Sequence, residues 1–156
     1  MMIEEIIPVA TGEKWVGYGI RSFRSVINDL ISNATNELYL TAYVLTDMSI
    51  VNKLKNALER GVQVEIYLYV DESSIRNETV DYILNLKREF NYLKIHRIEN
   101  EILHAKVLVA DGKKVLSGSA NFTFSGMTNN YELGFLIEDP YTALQILKLI
   151  KKLGEK

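Results

Sequence analysis

The chain has 156 residues, which suits one globular domain that buries roughly two-thirds of the surface exposed by its unfolded form. Its hydrophobic (47%), charged (24%) and aromatic (10%) fractions are those of an ordinary folded domain and exclude a disordered or fibrous chain. The formal charge of -2 excludes a general positive field for nucleic acid or anionic lipid, and the lack of cysteine excludes disulfides, thiolate nucleophiles and cysteine-based zinc sites.

The first part of the chain predicts strands and helices in alternation. Residues 6–10 favour a strand, and residues 11–21, which include three glycines and a tryptophan, favour a loop. Apolar residues at helical spacing predict a helix from residue 23 to residue 34, followed by a β-rich strand over 37–45. A second helical stripe over 50–58 is closed by Gly61.

The rest of the chain continues this alternation. Residues 62–70 alternate in polarity as a strand with two unlike faces would, and residues 71–77 predict the following turn. A third helix over 80–90 precedes strands over 93–98 and 102–110. Asp111 and Gly112 predict a tight hairpin to a strand over 115–119. A strand over 131–138 and a helix capped by Asp139 and Pro140 complete a sheet covered by helices, in one domain over 1–156.

The polar residues most suggestive of chemistry interrupt the apolar strands of the second half. His104 and Lys106 stand two apart in the strand predicted over 102–110, so we expect both side chains on one face. Ser119 and Asn121 follow the next strand, where Gly118 permits close backbone approach, and Glu132 lies on a separate strand. A group that titrates near neutrality beside fixed positive donors is what phosphoryl transfer requires.

These residues resemble the signature motif of the phospholipase D superfamily. The motif reads His-x-Lys, four residues, Asp, six residues and Gly-Ser-x-Asn, and it stands intact here as His104, Lys106, Asp111, Gly118, Ser119 and Asn121. Residues 42–46 and 130–134 are also similar to segments of that family, and the resemblance extends over most of the chain from about Ser22. It implies a mixed parallel and antiparallel sheet flanked by helices on both faces, an α-β-α sandwich.

The resemblance also implies a mechanism that passes through a phosphohistidine. One histidine attacks phosphorus, a second protonates the leaving oxygen, and water later releases the phosphate ester, without a metal or other cofactor. His104 would be the nucleophile, Lys106 and Asn121 would bind phosphoryl oxygens, Ser119 would support the site and Glu132 would orient an imidazole. Asp111 belongs to the motif and is counted with the catalytic residues, although an Asp-Gly hairpin alone explains it.

The family's chemistry needs two such histidines, whereas this chain has one motif and one further histidine, His96, which we interpret as a surface or strand residue without a role. The resemblance therefore predicts a homodimer with a shared active site. The first expectation for the substrate is DNA, with RNA as a further substrate. The alternatives are a phospholipid or other small phosphodiester, and a catalytically idle nucleic-acid-binding module.

A glycine-containing loop over residues 11–21 offers further candidates for binding a nucleic acid. The loop is surrounded by Trp15, Tyr18, Arg21 and Arg24, which would suit bases or phosphates. Burial of Trp15 in the core is an at least equal alternative.

The acidic N-terminus does not read as a secretion signal, and no segment is apolar enough to span a bilayer, so we expect a cytoplasmic protein without a membrane anchor.

Overall fold

A computed structural model describes residues 5–74 and 77–155. Within those ranges, eight strands form one sheet: β1 (Glu5–Thr11), β2 (Arg21–Ser22), β3 (Glu37–Ala42), β4 (Gln63–Tyr69), β5 (Leu93–Ile98), β6 (Val107–Ala110), β7 (Lys114–Gly118) and β8 (Glu132–Glu138). The helices described are α1 (Phe23–Asn33), α2 (Met48–Glu59), α3 (Glu78–Glu89), α4 (Phe124–Thr128) and α5 (Pro140–Lys152). The acidic start at residues 1–4 and residues 75 and 76 of the predicted turn lie outside the described residues.

The strand order is β2-β1-β8-β7-β6-β3-β4-β5. β3, β4 and β5 pair in parallel, as do β1 and β2, whereas the other neighbours pair antiparallel. The predicted mixed sheet is thereby confirmed. With these directions, β1, β3, β4 and β7 end, and β6 and β8 begin, at the same edge of the sheet, which we call the site edge.

Helices cover both faces of the sheet, as an α-β-α sandwich requires. On one face, α1, α2 and α3 bury residues such as Ile27, Leu54 and Ile83 in a core with strand residues that include Leu40 and Ile66. On the other face, α5 is the one helix among the described residues that contributes to a second core, in which Ala143, Leu147 and Ile150 pack with Val107, Val109 and Val115. Asp139 caps α5 by accepting a hydrogen bond from the amide of Thr142 (3.0 Å), as its position before Pro140 predicts.

Several boundaries differ from the sequence prediction. β3 ends at Ala42 and not at residue 45, and β6 begins at Val107 and not at residue 102. The two-residue β2 and the five-residue α4 are missing from the prediction, because elements of that length show no measurable periodicity. In the described part of the chain no helix is both long and apolar enough to cross a bilayer; α5, with 13 residues, is the longest.

Candidate active site

The structure brings five of the six predicted site residues to the site edge. His104 and Lys106 precede β6, Ser119 and Asn121 follow β7, and Glu132 begins β8. Because β6, β7 and β8 are neighbours in the sheet, these residues converge although 28 positions separate the first from the last along the chain.

His104 and Lys106 do not lie in a strand, which corrects the sequence prediction. The hydroxyl of Thr41, on β3, donates to the carbonyl of Ala105 (3.0 Å) and accepts from the amide of Val107 (3.1 Å). The buried hydroxyl of Thr41 thus replaces the next backbone hydrogen bonds between β3 and β6, and the pairing of the two strands ends at Val107. Residues 104–106 therefore lie outside the sheet. Thr41 is not among the residues predicted from the sequence; its signal is a hydroxyl residue in an apolar strand.

The two side chains nevertheless meet. Lys106 Nζ lies 3.1 Å from His104 Nδ1 and donates to the His104 carbonyl oxygen at 2.9 Å. The segment's irregular backbone, not strand alternation, produces this contact. An ammonium can only donate, so a hydrogen bond to Nδ1 requires the lone pair there and leaves the proton of a neutral ring on Nε2.

Lys106 is only 8% exposed, which is unusual for a lysine. Burial lowers its pKa, and the negative charge of Glu132 acts in the opposite direction and raises it. A cation that the fold keeps partly dehydrated next to an imidazole interacts more strongly with an anion than a fully hydrated surface lysine would. The structure therefore supplies a local positive site in a chain of negative net charge.

His104 is exposed, and Tyr43 packs against its ring. The two ring centroids lie 4.7 Å apart with the planes tilted by 53°, and Tyr43 in turn stacks on Tyr69 at 5.1 Å. Tyr43 thus restricts where the imidazole can lie. Tyr43 has no role in the sequence prediction, and the feature that could have indicated one is an aromatic residue directly after the buried strand β3.

Ser119 joins β7 to β8. Its amide donates to the Leu133 carbonyl (3.0 Å), its hydroxyl accepts from the Leu133 amide (3.0 Å), and the same hydroxyl donates to Glu132 Oε1 (2.7 Å). The hydroxyl proton is therefore committed to Glu132 and is not free for a phosphoryl oxygen. This geometry fits the supporting role expected for Ser119.

Glu132 hydrogen-bonds to Ser119 and Asn130 and not to an imidazole of the described chain. Oε1 accepts from Ser119, and Oε2 accepts from the side-chain amide of Asn130 at 3.3 Å. Neither His104 nor His96 hydrogen-bonds to Glu132 in the described structure. These two hydrogen bonds hold the carboxylate in place at the site edge.

A pair of glycines brings β7 and β8 close enough for these contacts. Gly118 and Gly134 face each other, and a Cβ built on Gly118 would lie 2.6 Å from Gly134 Cα and 2.8 Å from the Phe23 ring. Any side chain at Gly118 would separate the strands or displace Phe23, which is 2% exposed. The glycine of the motif is thus explained by packing beneath the site.

Asn121 sits in a turn that α4 supports. A Cβ on Gly126 would lie 2.3 Å from the Asn121 carbonyl oxygen, and the Phe122 carbonyl accepts hydrogen bonds from the Thr46 and Asp47 amides, both at 3.0 Å. The side-chain oxygen of Asn121 is buried and accepts no hydrogen bond from the residues described. Binding of a phosphoryl oxygen by Asn121 stays a prediction, because that contact would come from the side-chain NH2 group and not from this oxygen, which can only accept.

Asp111, which the sequence analysis counted with the catalytic residues, lies apart from the five residues at the site edge. It follows the far end of β6, about 13 Å from Val107 at the usual rise per strand residue. Its carboxylate accepts hydrogen bonds from the amides of Thr35 (3.0 Å), Asn36 (2.8 Å) and Glu37 (3.0 Å). The residue has φ 54°, in keeping with the predicted hairpin, and anchors that hairpin to the end of α1 and the start of β3.

Asp111→Asn is expected to reduce the free energy of unfolding by about 1–2 kcal/mol, because a neutral amide accepts the three amide hydrogen bonds less strongly. Turnover per folded molecule should be unchanged. Burial acts to raise the pKa of Asp111, but the backbone hydrogen bonds outweigh it and hold the pKa below 3.8. The stabilisation is therefore fully present above the unfolded-state pKa and is lost as the pH falls through the folded-state pKa.

Urea denaturation at pH 7 and at about pH 3 measures this effect, and the difference between wild type and variant should shrink at the lower pH. Asp81→Asn, an exposed change in the first turn of α3, is the control: it should leave turnover unchanged and lower the free energy of unfolding by no more than the about 0.3–1 kcal/mol that a first-turn charge contributes to a helix. A fully stable Asp111→Asn protein that has lost turnover would show that the residue is catalytic after all.

The remaining candidates have structural partners. His96 is a strand residue, as predicted: it lies in β5, its Nε2 is 3.3 Å from Glu65 Oε2, and its ring stacks on Tyr67 at 4.2 Å. Arg24 donates to Asp47 (2.7 Å) and Ser49 (2.6 Å), and Arg21 pairs with Asp29, so a carboxylate already offsets part of the charge that each guanidinium would offer a phosphate.

Trp15 is not a core residue. It is 48% exposed and packs edge-on against Tyr131, also 48% exposed, at 4.9 Å between ring centroids. Tyr18 is fully exposed. Among the described residues, no group of three or more histidine, aspartate or glutamate side chains converges, so we assign no residue to a metal.

The fold and site define an α/β protein with an imidazole and a buried ammonium at one edge of a mixed sheet. Residues 27–153 match the family described as "Cardiolipin synthase, PLD-like domain". A protein named phospholipase D from Rickettsia conorii is 34% identical over 122 residues, which cover 78% of this chain and 59% of that protein. The chain thus spans less than two-thirds of that relative.

Two solved structures share the fold over nearly their whole length. Nuc from Salmonella typhimurium, a phospholipase D family member, matches with a TM-score of 0.79 and 24% identity over 95% of this chain and 92% of its own. NucT from Helicobacter pylori matches with a TM-score of 0.77 and 23% identity over 97% of both chains. The chain belongs to the phospholipase D superfamily, a family of phosphodiesterases.

Proposed function

We propose that this protein is a metal-independent phosphodiesterase that hydrolyses DNA, and also RNA, with two protomers sharing one active site. The observation that carries the proposal is the 3.1 Å contact between the buried ammonium of Lys106 and the imidazole of His104. One group is an imidazole that can act as a nucleophile, and the other is a fixed cation for the phosphoryl oxygens.

The proposed reaction has two displacements. His104 Nε2 attacks phosphorus, the bond from phosphorus to the leaving oxygen breaks, and the partner's His104 gives that oxygen a proton. Water then attacks, the partner's His104 takes its proton, and the phosphorus–nitrogen bond breaks. Arrival of a phosphoryl oxygen draws Lys106 away from His104 Nδ1, so the ring proton can move there and free the Nε2 lone pair.

That tautomer needs an acceptor for the Nδ1 proton. The carboxylate of Glu132 is an anion fixed at the site edge, and it accepts no hydrogen bond from the imidazoles of its own chain in the described residues. In a dimer with a shared site, the partner's His104 is the imidazole that Glu132 would orient. The single motif and a site-edge carboxylate that accepts no hydrogen bond from an imidazole of its own chain thus support the same homodimer.

The surface that supports dimerisation is the sheet face that α5 covers only in part. Pro8 lies opposite Phe135 and Ala10 opposite Leu133 in the antiparallel pairing of β1 with β8, so alternate residues of both strands share this face. Leu133 (49% exposed) and Phe135 (47% exposed) remain open, as does Ile6 (50%). We call Ile6, Pro8, Leu133 and Phe135 the bare strip.

A second copy is the occupant that best fits the bare strip. Leu133 directly follows Glu132, so a partner packed on the strip lies beside the incomplete site. α5 presents Tyr141 and Leu144, each 49% exposed, next to its buried side, and these are suitable apolar partners for the strip. Burying both patches removes apolar surface from water in each protomer.

The choice of nucleic acid is supported by the exposed aromatic pair Trp15 and Tyr131 at the site edge. Tyr131 immediately precedes Glu132, and its ring packs on Gly12, where a Cβ would lie 2.3 Å from the ring. Half-exposed aromatic rings held in place beside a phosphate site suit stacking with bases. The second candidate is a lipid phosphodiester, which the names of the matched family and of the Rickettsia relative favour.

Incubation of the purified protein with DNA, RNA, phosphatidylcholine and bis(p-nitrophenyl) phosphate, each with and without EDTA, tests the proposal. We expect cleavage of DNA, RNA and the chromogenic ester at rates that EDTA does not change, because the proposed cation is Lys106. Release of choline without cleavage of nucleic acid would establish the lipid candidate. Activity abolished by EDTA would contradict the histidine mechanism.

A further inference from the structure

A cleft beside His104 has no role in the mechanism proposed above. It has a volume of about 240 Å³ and opens between the loops that follow β3 and β4. Its lining includes Tyr43, Thr46, Tyr69, Asp71, Ser73 and Asn77. Tyr43 is a wall shared by the cleft and the catalytic site, because the same ring lies 4.7 Å from that of His104.

The position of the cleft in the sheet is the one that ligands favour in α/β folds. β3 and β4 are parallel neighbours, and the cleft lies beyond their carboxyl ends. β3 is also the strand at which the sheet changes direction, since it pairs in parallel with β4 and antiparallel with β6. Crevices at such points bind small ligands in many α/β proteins.

The lining indicates the chemistry of the ligand. The stacked rings of Tyr43 and Tyr69 form an aromatic wall. The segment between β4 and α3 lines the cleft with hydroxyl, amide and carboxylate groups. The Ser73 hydroxyl donates to Asp71 at 2.6 Å and lowers the pKa of its carboxyl, so Asp71 is anionic at neutral pH. A flat group with hydrogen-bond donors at its rim fits this lining, and a pair of long acyl chains does not.

We propose that this cleft is the subsite for the nucleoside attached to the scissile phosphate. The proposal rests on the proposed function, because it takes His104 and Lys106 as the position of the phosphate. Lys106 then binds the anionic end of the ligand, and Asp71 accepts from donor groups of the base or sugar at the other end. Tyr43 spans the junction, and Tyr69 extends the aromatic wall beneath the base.

The proposal predicts a selective change in KM. Ser73→Trp fills the cleft, and Tyr69→Leu removes half of the aromatic wall. The p-nitrophenyl ester of thymidine 5′-phosphate reports on the subsite, and methyl p-nitrophenyl phosphate, which lacks a nucleoside, is the reference substrate. Each variant should raise the KM for the nucleoside ester by about tenfold, within the range measured for loss of one base–aromatic stack, and leave that for the methyl ester unchanged.

Glu72→Trp, an exposed change next to Ser73 that does not line the cleft, is the matched control and should alter neither KM. Equal KM values for the two esters in the wild type, or an unchanged KM in Ser73→Trp, would overturn the subsite but leave the phosphodiesterase standing. An equal loss of kcat with both esters in Tyr69→Leu would show that Tyr69 acts only through Tyr43 and His104, which overturns its place in the subsite.

Two further outcomes separate this proposal from the one on which it rests. Failure of the wild type to hydrolyse either ester would overturn the proposed function itself. A lower KM for p-nitrophenyl phosphorylcholine than for the nucleoside ester would assign the cleft to a lipid head group and overturn the nucleoside assignment.

Discussion

His104→Asn is expected to lower the rate of phosphodiester hydrolysis by a factor of at least about 10³, because it removes the proposed nucleophile from one protomer and the proposed acid from the other. The free energy of unfolding should change by less than about 0.5 kcal/mol, since the side chain is exposed. Turnover of bis(p-nitrophenyl) phosphate and urea denaturation measure the two quantities.

His96→Asn is the matched control for this substitution. His96 is the other histidine of the chain and lies on β5, three strands away from β6, so the variant should retain turnover. Full activity in His104→Asn, or equal losses in both variants, would refute the assignment of the nucleophile.

Mixing wild type with His104→Asn distinguishes a shared site from two independent ones. If both imidazoles act on one phosphorus, only dimers of two wild-type chains are active. An equal mixture that has exchanged subunits should then retain about a quarter of the activity of wild type at the same total concentration. Independent sites would retain about half.

Phe135→Glu is expected to produce a monomer that has lost turnover by at least about 10²-fold, because it places a charge in the centre of the bare strip and separates the two imidazoles. The monomer should stay folded, since Phe135 is 47% exposed and lies outside both buried cores. Light scattering coupled to size-exclusion chromatography gives the oligomeric state, and the chromogenic ester gives the activity.

Met48→Glu tests whether any exposed apolar residue has this effect. Met48 is 39% exposed and begins α2, which packs on the opposite face of the sheet. This variant should remain dimeric and active. A Phe135→Glu protein that is still a fully active dimer would place the interface elsewhere, and a fully active monomer would contradict the shared site.

The sequence determined the elements with strong periodicity. α1, α2, α3 and α5 lie where their apolar stripes predict them, because each helix buries one face against the sheet and repeats its apolar residues accordingly. Elements without such a repeat, β2 and α4, could not be predicted in this way. The family was also readable from the sequence, since the spacing from His104 to Asn121 is preserved in full.

Only the tertiary structure decided which motif residues belong to the site. Spacing along the chain put Asp111 with His104, but β6 carries it to the far end of the strand, where the amides of residues 35–37 bind its carboxylate. The contact between Lys106 and His104 depends on the hydroxyl of Thr41, and the imidazole's position depends on Tyr43. Both arrive from β3 and its following loop, more than 60 residues away, and no local pattern encodes a contact at that separation.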